Sequence, residues 1–516
     1  MNMNAYPAAQ RGGPLSRWLP LLLPLLLLLP NLGGAPLFDI DEGAFSEATR
    51  EMLAKGDYLS TWLNGAPRFD KPILIYWLQA LSVSIFGVVD WAFRVPSALA
   101  AVFWCYAVSR FAEEFSDADA GRLAGIVALT CLGVQVIGRA ATADAVLNLW
   151  LTLTLTDIWR FIAQGKRSAA RRAFLWTGLG ILTKGPIAVL VPGATVILWC
   201  LASRNWRWLG NALRDPLSWL LLIGTALPWY VAAYAIHGQA FIDGFFMKHN
   251  VQRFSGTLEG HGGSMFYYLL VVPLFVLPWL PWLGSALKSL PGDWQDPMKR
   301  FLWLWALFVI GFFSLSGTKL PHYALYGCTP LFILIACRHA RLKSPLAMLP
   351  AIVLLGVYAA IPAILSRLTI KDAFYAAQIS RLAEVLPDGM LWAAPAAIVI
   401  AVLLAIFWRV AMWQRVAAAA LMANVLLAMS VAPLLGELLQ GPVKRTALAA
   451  RETGEPVVQW NAHWPSLSVY LQAETPIRAP QPGELAVTRA DRLPSDLDGY
   501  EMLRKEGGIV LVRRLR

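Results

Sequence analysis

"PILIYWLQALSVSIFGVV" (residues 72–89) is the stretch on which the topology turns. A bilayer-spanning helix needs about 20 apolar residues, fewer when the span is short or tilted. Thirteen other stretches qualify, near 18–38, 94–112, 121–138, 145–162, 171–183, 186–203, 217–236, 265–285, 301–316, 321–337, 346–366, 391–408 and 413–434. Most of the loop charge lies in "GKRSAARR" (165–172), "SRNWRWLGNALR" (203–214), "DPMKR" (296–300), "RHARLK" (338–343) and "RVAMWQR" (409–415). With thirteen spans and the N-terminus inside, all five basic loops join Arg11 and Arg17 on the cytoplasmic side. A fourteenth span at 72–89 would move all five outside, against the positive-inside rule. Residues 72–89 are therefore expected in the outer interface, within one external loop of residues 39–93, with Tyr76 and Trp77 in the interfacial belt.

Composition supports the same class. Of 516 residues, 57% are hydrophobic, 15% are charged and 23 are Trp, and the mean hydropathy is +0.54. That apolar content exceeds what a soluble domain buries and fits a polytopic, all-α membrane protein. The formal net charge of +12 follows from the cytoplasmic loops and does not point to nucleic acid. Cys105, Cys131, Cys200, Cys328 and Cys337 lie in or beside apolar segments without a CxxC pair, so they are expected as small buried hydrophobes. Arg11, Arg17, the leucine-rich run and "GGAP" resemble a signal peptide, but a retained first helix is expected. Residues 1–440 are expected as the membrane domain. Residues 441–516 are charge-mixed, with strand-like "PVVQW" (456–460) and "GIVLVRR" (508–514) around a short helix at "PSLSVYLQ" (465–472). A small α/β domain docked on the outer face is expected there. The chain shows no internal repeat or inverted repeat.

The outer face then gathers isolated charges from many helices, which marks a site. "DEGAFSEATREMLAKG" (41–56) predicts an amphipathic interfacial helix that stops at Gly56 and has Asp41 at its N-cap. A carboxylate at a helix N-terminus stays ionised, as a general base must. Asp39 is expected only to face water. "RFDKP" (68–72) sets Asp70 beside Lys71, either a surface ion pair or a lysine aimed at an anion beside an orienting or metal-holding carboxylate. Arg139 and Asp144 in "GRAATADAVL" (138–147) either cap helix ends or face the site. Lys184 in "LTKGP" (182–186) either snorkels or contacts phosphate. In "FFMKHNVQRFS" (245–255), His249 and Arg253 are spaced to share a helix face, suited to a phosphate or to a metal beside one. "SGTKLPHYALY" (316–326) carries Lys319, His322 and Tyr323, an anchor group at an external turn. There is no Walker loop, GxGxxG, nucleophile elbow or HExxH, so no nucleotide cofactor is indicated. A transferase facing outwards would need a donor already in the membrane, such as a sugar on a polyprenyl phosphate.

The blocks "DEGAFSEATREMLAKGDY", "RFDKPILIYWL", "WAFRVPSAL", "RAATADAVL", "LTKGP", "KHNVQRF" and "SGTKLPHY" closely resemble, in order, those of ArnT-type membrane glycosyltransferases. These belong to the protein O-mannosyltransferase superfamily with the GT-C fold. They transfer 4-amino-4-deoxy-L-arabinose from undecaprenyl phosphate to lipid A. The resemblance covers about residues 35–340 and, weakly, the tail. It implies thirteen spans, interfacial helices in the first periplasmic loop, a retained first helix and a periplasmic C-terminal domain in the bacterial inner membrane. By position it implies catalytic roles for Asp41, its neighbour Glu42, and Asp144. It places Lys71, Lys184, Arg253 and Tyr323 at the donor phosphate, and Asp70 with His249 at a divalent metal such as zinc. Two positions depart from the family: Asp70 stands where glutamate is usual, and Ala44 where arginine is usual. The expected function is an inverting transfer of a monosaccharide from undecaprenyl phosphate to lipid A or another envelope glycan. A lipid-linked-sugar flippase, or an oligosaccharide or O-antigen ligase, is the alternative.

Overall fold

The computed structural model describes residues 14–252, 262–387, 389–494 and 498–515. Arg11 and Arg253 lie outside them. The chain is mostly helical. Among the described residues, six helices are long and apolar enough to cross a membrane: Asp90–Phe115, Pro216–His237, Pro297–Leu315, Pro345–Arg367, Met390–Phe407 and Met412–Leu439. Two bent pairs bring the number to eight if each pair is one span. One is Ala118–Thr130 with Leu132–Gly138, bent by 64°. Its break frees the Leu129 carbonyl, which accepts from Gln135 Nε2 at 2.7 Å and Asn424 Nδ2 at 3.1 Å and so stays satisfied in the apolar layer. The other is Tyr267–Phe275 with Leu277–Lys288, bent by 87°. Residues 265–285, expected as one span, thus turn through nearly a right angle, where Pro273 and Pro278 remove backbone donors.

The elements nearest the site are α1 (Pro14–Leu28), α2 (Asp41–Lys55), a two-residue hairpin of β1 (Trp62–Leu63) and β2 (Ala66–Pro67), α3 (Leu74–Phe86), α4 (Asp90–Phe115), α5 (Ala118–Thr130), α6 (Leu132–Gly138), α7 (Asp144–Gln164) and α8 (Arg167–Lys184). At 1.5 Å per residue, 13-residue α3 is about 20 Å long, short of a bilayer core of about 30 Å. By length the decisive stretch falls short of a span, as the charge pattern anticipated. Tyr76 is fully buried, however, and is no belt residue.

α2 corrects a second expectation. It starts at Asp41 and stops at Gly56, whose φ of +65° suits glycine. Yet it does not lie at a water interface, since every residue from Glu42 to Met52 is buried. Its buried acids are all partnered. Arg50 donates to both oxygens of Glu47, at 2.8 and 2.6 Å. Glu51 accepts from Lys55 at 3.1 Å and from the Gly65 amide at 3.1 Å. The helix Pro465–Leu471 covers it from the far end of the chain, so closely that a Cβ on Gly43 would stand 2.6 Å from the Ser466 nitrogen.

The tail forms β3 (Val457–Gln459), β4 (Leu485–Arg489), β5 (Tyr500–Glu506) and β6 (Ile509–Arg514) in the order β3-β4-β6-β5, with only the β3–β4 pair parallel. The strands and helix expected at 456–460, 508–514 and 465–472 are all present. Apolar residues of this sheet, of the helix Gly441–Thr453 and of Pro465–Leu471 share one core with Leu37, Phe93 and Ala141 at the mouth of the membrane helices. The five cysteines are free, and four are buried.

Candidate active site

The site is built where the first loop, the α6–α7 turn and three later segments converge. Its floor is the pair Glu42–Arg94, both buried. Arg94 Nε and Nη2 donate to the two carboxylate oxygens of Glu42 at 2.9 and 2.8 Å. The amides of Phe38 and Ala141 donate to the same carboxylate at 2.9 and 2.6 Å. Arg94 spends its remaining donors on the carbonyls of Leu32, Ala35 and Pro36. Glu42 is thus saturated by four donors. Asp41, one residue earlier, is exposed and makes no hydrogen bond or ion pair among the described residues. It does not cap α2: the N-cap position belongs to Ile40, with no side-chain bond. Asp39, expected to face water, instead accepts from the Ser466 amide at 2.9 Å and from the Ser466 hydroxyl. Burial pushes its carboxyl up to about 7, against those two donors, and the charge of Glu42 adds to the rise.

The centre is Asp144, the first residue of α7. Its Oδ1 accepts from Lys184 Nζ at 2.6 Å and from the Tyr326 hydroxyl at 2.7 Å. Lys184 also donates to the Tyr326 oxygen at 2.8 Å and lies 5.3 Å from the centre of the Tyr323 ring. His322 Nε2 stands 3.7 Å from the same carboxylate oxygen. Lys184 ends α8 within reach of an acid 40 residues earlier, so it is paired and does not snorkel. Arg139 does cap a helix end: its guanidinium donates to Leu28 O at 3.0 Å and Pro30 O at 2.7 Å, carbonyls left open at the end of α1.

A third group surrounds Asp70. It pairs with Lys71 at 2.8 Å, with Arg68 at 2.8 Å and with His249 Nδ1 at 2.9 Å. Burial opposes its ionisation, but Lys71, His249 and Arg68 outweigh burial and hold its carboxyl well below the usual range. Asp70 and His249 therefore meet, as a metal pair would. Among the described residues, however, no three His, Cys, Asp or Glu side chains gather to hold an ion. Lys71 and Arg68 already neutralise the one carboxylate. As arranged, these donors do not fit a metal.

Two cavities flank the Asp144–Lys184–Tyr326 cluster. One, of about 330 Å³, is lined by Asp70, Lys71, Lys184, His249, Tyr323 and Tyr326 and walled by Phe245, Phe246, Phe312 and Phe313. The other, of about 470 Å³, is lined by Asp41, Arg139, Asp144 and His322 and by apolar residues such as Leu32, Phe38, Val136, Leu427 and Leu435. Cations dominate the polar groups of the first and acids contribute more to the second. Lys319 stands apart, its Nζ donating to the Ser316 carbonyl at 2.6 Å. Three residues escaped sequence reasoning; one is Arg94, which lies in "WAFRVPSAL". Tyr326 lies three places after Tyr323 in "PHYALY", which was the available signal. Arg68 precedes Phe69 and Asp70 in "RFDKP".

Residues 70–233 match the family described as dolichyl-phosphate-mannose-protein mannosyltransferase. A Shewanella sediminis protein named undecaprenyl phosphate-alpha-4-amino-4-deoxy-L-arabinose arabinosyl transferase is 30% identical over 330 residues, 61% of this chain and 58% of that protein. A protein of the same name from Edwardsiella ictaluri is 32% identical over 327 residues, 62% of this chain and 58% of that protein. The match thus spans less than two thirds of the length of these curated relatives. The crystal structure of ArnT from Cupriavidus metallidurans bound to undecaprenyl phosphate superposes with a TM-score of 0.80 at 21% identity, covering 96% of this chain and 97% of that one. Its apo state gives 0.78 at 22% identity, with the same coverage. Sequence and fold point the same way: the chain shares the fold of the ArnT crystal structures, and its residues 70–233 resemble the mannosyltransferase family.

Proposed function

We propose that the chain is an inverting glycosyltransferase that moves a monosaccharide from undecaprenyl phosphate to lipid A or another envelope glycan. The carrying observation is the pair of cavities joined at Asp144, Lys184 and Tyr326. The smaller, aromatic and cationic cavity suits the lipid phosphate and its first isoprene units. The larger, with Asp41 on its rim, suits the acceptor. Asp41 has its carboxylate uncommitted and takes the acceptor proton. The acceptor oxygen attacks the anomeric carbon while the sugar–phosphate bond breaks, and the electron pair leaves on undecaprenyl phosphate. Lys71, Lys184 and Tyr323 hold the leaving phosphate and stabilise its charge. Arg253 joins them on the strength of the family resemblance alone. Asp144 orients Lys184. Glu42 holds Arg94 and so fixes the start of α2. The metal expected at Asp70 and His249 would require Lys71 and Arg68 to release Asp70.

In this reading the chain crosses the bacterial inner membrane thirteen times. Its N-terminus is cytoplasmic, and residues 39–93 and the domain at 441–516 are periplasmic. The names of the relatives support the donor, and the short α3 supports the outward loop. Purified chain in nanodiscs, given sugar-charged undecaprenyl phosphate and lipid A, should yield lipid A of higher mass and free undecaprenyl phosphate. No transfer to lipid A or to any envelope glycan extract would overturn the proposal.

A further inference from the structure

The short 3-10 helix Pro321–Gly327 sends side chains to both cavities. Tyr323 and Tyr326 line the smaller one, and His322 lines the larger. With three residues per turn, neighbouring side chains point about 120° apart, so His322 and Tyr323 face different sides of one wall. Their rings meet edge to face, with centres 4.8 Å apart. His322 Nε2 stands 3.7 Å from Asp144 Oδ1, the oxygen that also accepts from Lys184 and the Tyr326 hydroxyl. Even so, 23% of the His322 side chain stays exposed. The imidazole is thus set at the wall between the cavities and open to the larger one.

Several polar side chains of the larger cavity are tied to the protein. Glu42 and Arg94 hold each other. Arg139 donates to the carbonyls at the end of α1, and Gln135 to the Leu129 carbonyl. Asp39 accepts from Ser466. An acceptor entering this cavity also meets the exposed carboxylate of Asp41 and the imidazole of His322. The two differ in what they can do. An ionised carboxylate only accepts, so it suits the proton that the acceptor loses. An imidazole accepts through its bare nitrogen and donates through its N–H, so it can hold an oxygen before and after that proton has gone.

We propose that His322 contacts the attacking oxygen of the acceptor and is a further substrate-binding residue of the larger cavity. It accepts from an acceptor hydroxyl or donates to an acceptor phosphate. Asp41 still takes the proton, so the balance of the transfer is unchanged. This assignment rests on the transferase reading, which makes the larger cavity the acceptor's.

The test uses the full chain in nanodiscs and the variants His322→Leu and His322→Gln. Binding is measured to lipid A, to lipid A stripped of its phosphates and to undecaprenyl phosphate. His322→Leu should weaken lipid A by about tenfold, the scale of one hydrogen bond, and leave undecaprenyl phosphate unchanged. His322→Gln, whose amide both donates and accepts, should recover part of that loss. Loss for both forms of lipid A assigns the contact to a hydroxyl, and loss for the phosphorylated form alone assigns it to a phosphate. A merely structural His322 would disturb Asp144 and, through Lys184, move the affinity for undecaprenyl phosphate as well. Equal loss for all three lipids, loss for undecaprenyl phosphate alone, or no loss at all overturns the inference, as does a parent chain that binds neither form of lipid A. If His322→Leu fails to fold, His322→Gln decides: a smaller loss confined to lipid A supports the contact, and none overturns it. A chain that binds both lipids yet transfers no sugar overturns the transferase reading, while the affinities still decide whether His322 touches lipid A.

Discussion

Asp41 and Glu42 are adjacent acids that should fail in opposite ways. Glu42 is buried and accepts from both arms of Arg94 and from two backbone amides. Glu42→Gln keeps the shape but replaces one acceptor oxygen with a donor and strips Arg94 of its counter-charge. Removing one partner of a buried ion pair costs about 3–5 kcal/mol, because the other charge is left uncompensated. Asp41→Asn breaks no described bond, so its stability should stay within about 0.5 kcal/mol of the parent. Its turnover should fall by roughly 10²–10⁴-fold, the range for a lost general base. Both can be read on protein in mixed micelles: denaturant unfolding followed by tryptophan fluorescence for stability, and mass gain of the acceptor for turnover. A Glu42→Gln protein as stable as the parent, or an Asp41→Asn protein with parental turnover, would refute the division of labour drawn here.

Three further outcomes are expected. Gly43→Ala places a Cβ 2.0 Å from Asp39 Oδ1 and 2.6 Å from the Ser466 nitrogen, so it should wedge α2 from the tail and cost about 1–3 kcal/mol, measured by the same unfolding assay. Tyr326→Phe removes the hydroxyl shared by Asp144 and Lys184, and a bond to a charged group is worth about 1.5–3 kcal/mol, so turnover should drop by roughly ten- to a hundredfold with the fold retained. Asp39 binds its proton more tightly when folded, at about 7, than at its ordinary 3.8. Its contribution to stability should therefore fall as pH rises from about 4 to 7, and Asp39→Asn should remove that slope when unfolding is compared at pH 5 and pH 8.

Local features were legible in the sequence. α2 starts at Asp41 and stops at Gly56, and two of the tail's four strands, β3 and β6, lie where apolar runs placed them, while β4 and β5 went unread. These depend on neighbours a few residues apart. The partners that make the site do not. Glu42 finds Arg94 across 52 residues, Asp144 finds Tyr326 across 182, and Asp39 finds Ser466 across 427. Periodicity carries no information about such pairings, so α2 read as a surface helix although the tail buries it. The sharp bend in 267–288 was missed because hydropathy averages over the prolines that cause it.

The seam between the first loop and the tail has a consequence for the order of synthesis. Leu37 donates to Tyr470, Tyr470 donates to Asp90 at 2.7 Å, and Asp39 is held by Ser466. The side chains that seal the elements carrying Asp41 and Arg94 leave the ribosome 380 to 433 residues after their partners. A chain cut short before residue 465 would keep every membrane helix and lack the lid on its own first loop. Synthesis through Leu471 is thus built in as a condition for a finished site, and a product interrupted before it carries its defect in the first loop, far from the break.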